Sequence, residues 1–504
     1  MIRFTLNKEE KEKDPGLYTY EDETGLRAYK RTAVFMLMKA VRERCGEQAK
    51  VWVEFNYRGN YFITVEGVQA DTVLAKSLKA CMQEYCREAI VINRVNVQLL
   101  NVPAGIREAG EDSEALRYRI SNRFNYQELE GYYAYFVDHM LPDTSYITNF
   151  DLVAMNGGLL LVFPDRNDFS KLNEAIPSGK LFDTQFSSQA WAYDLGIVTL
   201  ADMNDMVCEG RSEDIILMQE AIFEKRIGDV AARIAEEKKK FVFLAGPSSS
   251  GKTTTANRLS VQLRAYGLSP RIISADNYFK SKEDQPLLPD GSRDLESINT
   301  VDTDLFNTDM LRLLSGEEIE LPTYNFITQQ REYKGNRIHF TEKTVLIVEG
   351  IHCMNPVFSE RIPEENKFLL YVSALTPLCV DAANHIPTSD CRLLRRIIRD
   401  ARTRGYSAAQ TIRQWTKVRE GEEENIFPHQ ENADEIINSA MIYELCAIKT
   451  YAEPLLFRIR PDEPEYDEAR RLLKFLSFVL AVPTQAIPIT SVIREFIGGS
   501  YFDV

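Results

Sequence analysis

The residues "FVFLAGPSSSGKTTTANRLS", 241 to 260, put a short apolar run directly before Gly246-x-x-x-x-Gly251-Lys252-Thr253 and a helical pattern directly after it. Glycines at both ends of such a loop let successive backbone N–H groups curl around phosphate oxygens, while the lysine reaches the outer phosphates and the next hydroxyl faces magnesium. The expected phosphate-binding set is Gly246, Ser248, Ser249, Ser250, Gly251, Lys252, Thr253 and Thr254. Lys252 is expected to act in catalysis as well, and Thr253 to face the metal. The loop implies a bound nucleotide. Whether the phosphoryl group goes to water or to a second substrate depends on residues elsewhere.

Downstream, the apolar runs "RIIS", "TVLIVEG" and "FLLYVS" alternate with helical stretches. That order predicts an α/β fold with a parallel sheet and helices on both faces, of the P-loop NTPase type. "RIIS" runs into "ADNYF", which puts Asp276 at the C-terminal edge of a strand, where ligands bind in open α/β sheets. A carboxylate there can take the proton of an attacking hydroxyl. "TVLIVEG" ends in Glu349, suited to orienting magnesium and its waters. Either acid alone could simply cap a helix; beside the phosphate loop they form one site. "DCRLLRRIIRDARTRG" spaces Arg392, Arg395 or Arg396, Arg399 and Arg402 along a helix. Such a stripe is ordinarily a solvated face. Next to a phosphate loop it can neutralise charge on the transferred phosphoryl, and Arg395 and Arg399 are the expected catalytic pair.

At 504 residues the chain is too long for one ordinary core. A formal net charge of −15 argues against a general nucleic-acid binder, whose affinity comes from neutralising phosphates. Eight scattered cysteines without a CxxC pair and five histidines that nowhere join them predict reduced thiols and no transition-metal site. No apolar run reaches the ~18 residues of a membrane span, and the first residues lack an apolar secretion core, so the expected location is cytoplasmic. Ahead of the phosphate loop, "LRAYKRTAVFMLMKAVRERC" has helical spacing, "KVWVEFNYRGNYFITVEG" reads as a hairpin turning at Arg58-Gly59-Asn60, and "NGGLLLVFPD" reads as a buried strand.

"GPSSSGKTT", "SADNYF", "LPTYNF…R", "VLIVEGIH" and "DCRLLRRIIRDARTRG", in this order over 241 to 455, resemble the uridine kinase and phosphoribulokinase family of phosphate-loop kinases. The resemblance implies that Asp276 activates a nucleoside 5′-hydroxyl and that Tyr278, Tyr324 and Phe326 line the nucleoside pocket. Arg331 falls in the base-binding segment and Arg392 in the arginine lid. The ribose-holding acid falls among Asp294, Glu296 and Asp302, with Glu296 favoured. Pyrimidine kinases of this family carry Y-D-F followed by a base-reading histidine; here Asn325 and Gln329 stand at those positions. The implied cofactor is Mg²⁺ with ATP (or GTP).

"LRAYKRTAVFMLMKAV" and "YYAYFVDHMLPDTSYITNFDLVAMNGGLLLVFPD" resemble the editing-type second domain of threonyl-tRNA synthetases. The metal-ligand positions of that domain correspond to Arg31, Phe35, Phe136 and Met140, so its metal and editing chemistry are not expected. The combination resembles a bacterial group of two-domain nucleoside kinases. The expected division is a stub at 1–24, the synthetase-like α+β domain at 25–200, a helical connector at 201–240, the kinase domain at 241–460 and a helical segment at 461–504. The leading function is ATP-dependent phosphorylation of a ribonucleoside 5′-hydroxyl. The alternatives are a kinase for a sugar phosphate or pantothenate-like metabolite, and a nucleotide-gated tRNA-associated protein contacting RNA through the amino-terminal domain. Self-association is left open.

Overall fold

The computed structural model describes residues 3–6, 18–98, 102, 114–176, 178–287 and 296–504. The chain forms two compact units. The first contains Met1–Glu209, Pro377–Pro387 and Arg471–Leu480; the second contains Gly210–Thr376, Thr388–Arg470 and Ala481–Val504.

In the first unit a short ladder pairs β1 (Arg3–Phe4) with β2 (Tyr18–Thr19). Helix Glu23–Cys45 follows and is buried along most of its length. Its residues Phe35, Leu37 and Val41 belong to one core with Val53, Ile63 and Leu161. The hairpin β3 (Val51–Tyr57) and β4 (Asn60–Val65) turns through Arg58 at φ 52° and Gly59 at φ 82°. Both angles lie in the left-handed region that a two-residue hairpin turn requires. Strands β5 (Asn93–Gln98), β6 (Arg123–Leu129) and β7 (Tyr132–Tyr135) make an antiparallel sheet of their own. Strands β8 (Asp151–Met155) and β9 (Gly158–Val162) complete a sheet of order β3-β4-β9-β8. Gly158 must be glycine there, because a Cβ would fall 2.6 Å from the Ile63 carbonyl and 2.8 Å from the Phe62 ring.

The second unit carries the parallel α/β sheet expected from the sequence. Its strands are β10 (Phe241–Ala245), β11 (Ser269–Ser274), β14 (Thr344–Glu349), β15 (Lys367–Ser373) and β16 (Glu435–Asn438). They lie in the order β11-β14-β10-β15-β16, and every pairing is parallel. β10 is buried at every position, as a strand covered on both faces must be. β12 (Ile319–Asn325) and β13 (Gln330–Ile338) form a separate antiparallel hairpin.

The units divide differently from the expected boundaries, for reasons that side chains supply. Helix Ser212–Glu236, read as connector, belongs to the second unit: its Glu220 and Glu224 hold Arg258 of the helix after the phosphate loop, with Glu220 at 2.8 Å. The stretch Pro377–Pro387 belongs to the first unit, where Ala382 accepts from Val53 N at 2.8 Å. The expected C-terminal segment is split, since Asn204 bonds the backbone of Phe478 and Leu480, whereas residues from Ala481 onward join the second unit.

Candidate active site

β10 leads into the phosphate loop at Gly246, where an added Cβ would lie 2.1 Å from the Val372 carbonyl of β15. Only glycine fits that close approach. Ser249 at φ 60° and Gly251 at φ 83° then curl the backbone, and helix Lys252–Ala265 starts without a side-chain cap from Gly251. Such a helix start directs N–H groups toward an anion.

Lys252 donates to the carbonyls of Gly246 at 2.9 Å and Pro247 at 3.1 Å. Burial lowers its pKa, while the nearby Glu349 and Glu495 oppose the shift. Thr253 donates to Glu349 Oε2 at 3.1 Å. Glu349 ends β14 and pairs in register with Ser274, the last residue of β11. Gly350 lets the two strand ends meet, because a Cβ there would strike the Ala275 Cβ at 2.6 Å. Asp276 thus arrives beside Glu349, and burial raises both carboxyls. Asp276 is pushed up against the pull of Lys252; Glu349 reaches about 7, with Glu495 and Asp276 adding to burial and Lys252 and Thr253 opposing it. The structure therefore brings Lys252, Thr253, Asp276 and Glu349 together at the C-terminal edge of adjoining strands, as the sequence implied.

Glu296 shares this field: burial, Glu422 and Asp276 raise its pKa, and Arg396 and Lys252 lower it. A Cβ on Gly421 would fall 2.8 Å from the Glu296 Cβ, so that glycine admits the acid. Asp302 is committed to another task, accepting from Leu305 N at 3.1 Å as a helix cap and pairing with Arg331 at 3.0 Å. Asp294 lies outside the described residues.

The arginine helix, Thr388–Thr403, grips the phosphate loop. Arg392 donates to the Ser248 carbonyl at 2.9 Å and pairs with Glu422. Arg395 is fully buried; it donates to Ser439 O at 3.0 Å, to Ser249 O at 3.3 Å and to Glu444 Oε2 at 2.6 Å. A guanidinium so placed positions the loop from behind, and turning it toward a phosphoryl group would strand the Glu444 charge. Arg396, the alternative at that spacing, donates to Ser248 Oγ at 2.7 Å. Arg399 pairs with Asp400 at 3.0 Å, and Arg402 donates to the carbonyls of Glu495 and Phe496.

Of the expected nucleoside contacts, Tyr324 and Phe326 stand 5.1 Å apart edge to face, and Phe279 joins them 5.4 Å from Tyr324. Phe326 is 61% exposed at the hairpin tip. Tyr278 turns the other way, fully buried, with its ring 5.0 Å from Phe306 and its hydroxyl 3.3 Å from Asp309. Arg331 donates to Phe279 O and Asp302, which braces the hairpin. Gln329 occupies a left-handed turn at φ 56°, and its Oε1 is buried without a hydrogen-bond partner.

Two acids in the site were not singled out from the sequence. Glu422 accepts from Ser248 N at 2.9 Å, and Glu495 accepts from Thr254 Oγ1 at 2.7 Å and Thr254 N at 3.3 Å. Only the fold brings them to the loop.

Residues 241–444 match the model of the phosphoribulokinase/uridine kinase family. A uridine kinase from Proteus mirabilis is 33% identical over 199 residues, spanning 39% of this chain and 85% of its own. The chain belongs to the phosphoribulokinase/uridine kinase family. A uridine kinase from Mycoplasma genitalium is 30% identical over 183 residues, spanning 36% of this chain and 76% of its own. A solved structure of a possible uridine kinase from Bacillus stearothermophilus covers 40% of this chain and 89% of its own at 16% identity, with a TM-score of 0.27. By the family match and the uridine kinase from Proteus mirabilis the chain is a P-loop kinase, and the relatives named span well under half of it. Among the described residues no helix is long and apolar enough to cross a membrane.

Proposed function

We propose that the second unit transfers the terminal phosphoryl group of ATP to the 5′-hydroxyl of a ribonucleoside. The observation that carries this reading is the meeting of Asp276 with Lys252 and Glu349 beside the aromatic group Phe279, Tyr324 and Phe326. A base that only oriented water would have no need of an aromatic cluster beside it.

The loop backbone, curled by Ser249 at φ 60° and Gly251 at φ 83° into an uncapped helix start, fits a phosphate chain. Thr253 and Glu349 are the oxygen donors that would hold magnesium, which when bound neutralises phosphate charge. Lys252 and the Ser248 N–H exchange their carbonyl and Glu422 partners for phosphate oxygens. Asp276 takes the hydroxyl proton; the charge of Lys252 keeps its carboxylate available despite burial. Arg396 and Arg399, only partly buried, neutralise the moving phosphoryl, while Arg392 and Arg395 hold the loop. Glu296 holds the ribose hydroxyls.

Turnover of labelled ATP with nucleosides, sugar phosphates and pantothenate in parallel tests the reading. Phosphorylation of a nucleoside far above the rest is expected; a sugar phosphate or pantothenate as the preferred acceptor would replace it.

A further inference from the structure

The first unit holds a cavity of about 160 Å³ that the kinase reading leaves unused. Among the described residues it is lined by the cations Arg94, Arg119, Arg123 and Lys474, with His139, and by one acid, Asp138. Strand register explains the gathering. Arg94 lies opposite Gln127 and Arg123 opposite Gln98 in the β5–β6 ladder, so both arginines stand on one sheet face.

The single acid is already engaged. Asp138 pairs with Arg31 at 3.6 Å, and its carboxyl is held well below the usual range by Arg31, Lys474 and His139 acting against burial. Arg119 is sandwiched, its guanidinium 4.9 Å from the Phe478 ring and 5.5 Å from the Phe124 ring, and its Nε is buried with no hydrogen-bond partner. Lys474 is lowered to about 8 by burial, with Arg119, Arg31 and Arg94 adding to the shift and only Asp138 opposing it. Burying Lys474 and the unpartnered Arg119 Nε beside further cations is costly to fold, and an anionic ligand removes that cost.

We propose that this cavity binds a small phosphate-bearing anion. Its volume equals about five waters at ~30 Å³ each, room for a phosphate or diphosphate group. The arginines supply planar donors suited to phosphate oxygens. Phe124 and Phe136 add apolar lining.

The test is calorimetric titration of inorganic phosphate, pyrophosphate and glycerol phosphate into the full chain carrying Lys252→Ala, which removes the phosphate-loop lysine. Binding is expected, with pyrophosphate tighter than phosphate. Lys474→Met added to that background should weaken it at least about tenfold, while Lys474→Arg retains it. Glycerol phosphate binding tighter than inorganic phosphate assigns the site to an organic phosphate; the reverse assigns it to the inorganic anion. Arg123→Gln, at an exposed strand position, should weaken binding too, and keeps the test open if Lys474→Met fails to fold. Absence of binding at millimolar anion, or an affinity in the Arg123→Gln and Lys474→Met chains unchanged from that of the Lys252→Ala parent, overturns the proposal.

Discussion

Around the phosphate loop, cations come with acids: Arg392 with Glu422, Arg395 with Glu444, Arg396 and Arg399 with Asp400. In the first unit, Arg119, Arg123 and Lys474 line one cavity in which Asp138 is the one acid among the described lining residues. In the first arrangement the charges hold a loop in shape; in the second they line a space. A net charge of −15 describes neither field, since each is set by which side chains the fold brings within a few ångströms.

The sharpest way to break the comparison is at the phosphate loop itself. Lys252→Ala should cut kcat/KM by roughly 10²–10³, or more, with the unfolding transition unchanged. Asp276→Asn should cut kcat by roughly 10²–10⁴ while ATP affinity holds. Loss of ATP affinity with normal chemistry in the remaining complex would make Asp276 a structural or metal-side residue.

Next come arginines on one helix with different surroundings. Arg395→Met leaves Glu444 buried without its partner and should cost about 3–5 kcal/mol of stability. Arg399→Met removes the hydrogen bonds that buried Asp400 accepts but leaves it the charges of Arg396 and Arg404, so the loss of stability should be smaller than in Arg395→Met, about 1–3 kcal/mol, while kcat falls. Urea unfolding alongside turnover separates them. An Arg395→Met chain of normal stability and low kcat would return Arg395 to the reacting group.

The pH dependence contrasts the two regions again. The folded pKa of Glu349 is raised from 4.5 to about 7, so its contribution to stability is present below pH 4.5 and lost as pH rises through 7. The loss approaches about 3 kcal/mol. Lys474 is depressed from 10.5 to about 8, so its contribution is present above 10.5 and lost as pH falls through 8. Glu349→Gln should remove the slope between pH 4.5 and 7 in unfolding free energy. A slope unchanged in that variant would mean that other acids carry it.

How much of this was legible follows from distance along the chain. The phosphate loop, Asp276 and Glu349 each sit where a local pattern ends, an apolar strand running into its turn, so sequence alone located them. Glu422 and Glu495 reach the same loop from 174 and 241 residues away, and neither was singled out from the sequence. β16 escaped notice because "EIIN" is too short to show a period. The arginine stripe was visible, but spacing could not separate Arg395, locked behind the loop, from Arg396 beside it. Tyr278 shows the same limit, since an aromatic after a catalytic acid reads alike whether it faces ligand or core.

The smallest effect concerns the base. Gln329 sits in a left-handed turn of the β12–β13 hairpin, held there by its N–H to Asn325 O at 2.7 Å and by Lys282 N donating to its carbonyl at 3.1 Å. The backbone is pinned, so the side chain has few directions, and its Oε1 has no partner. A primary amide offers both a donor and an acceptor and can exchange them by rotation, so it pairs with more than one base edge. We therefore expect kcat/KM for uridine, cytidine, adenosine, guanosine and inosine to lie within about a hundredfold of one another, roughly 2.7 kcal/mol. Gln329→His replaces a reversible pair with a ring fixed by its tautomer, and should narrow the range toward one base by about tenfold without changing KM for ATP. If the wild type already prefers uridine and cytidine by more than a hundredfold and the histidine variant leaves the ratios unchanged, the base is read elsewhere. The exposed ring of Phe326 and its neighbour Tyr324 are then the next positions to vary.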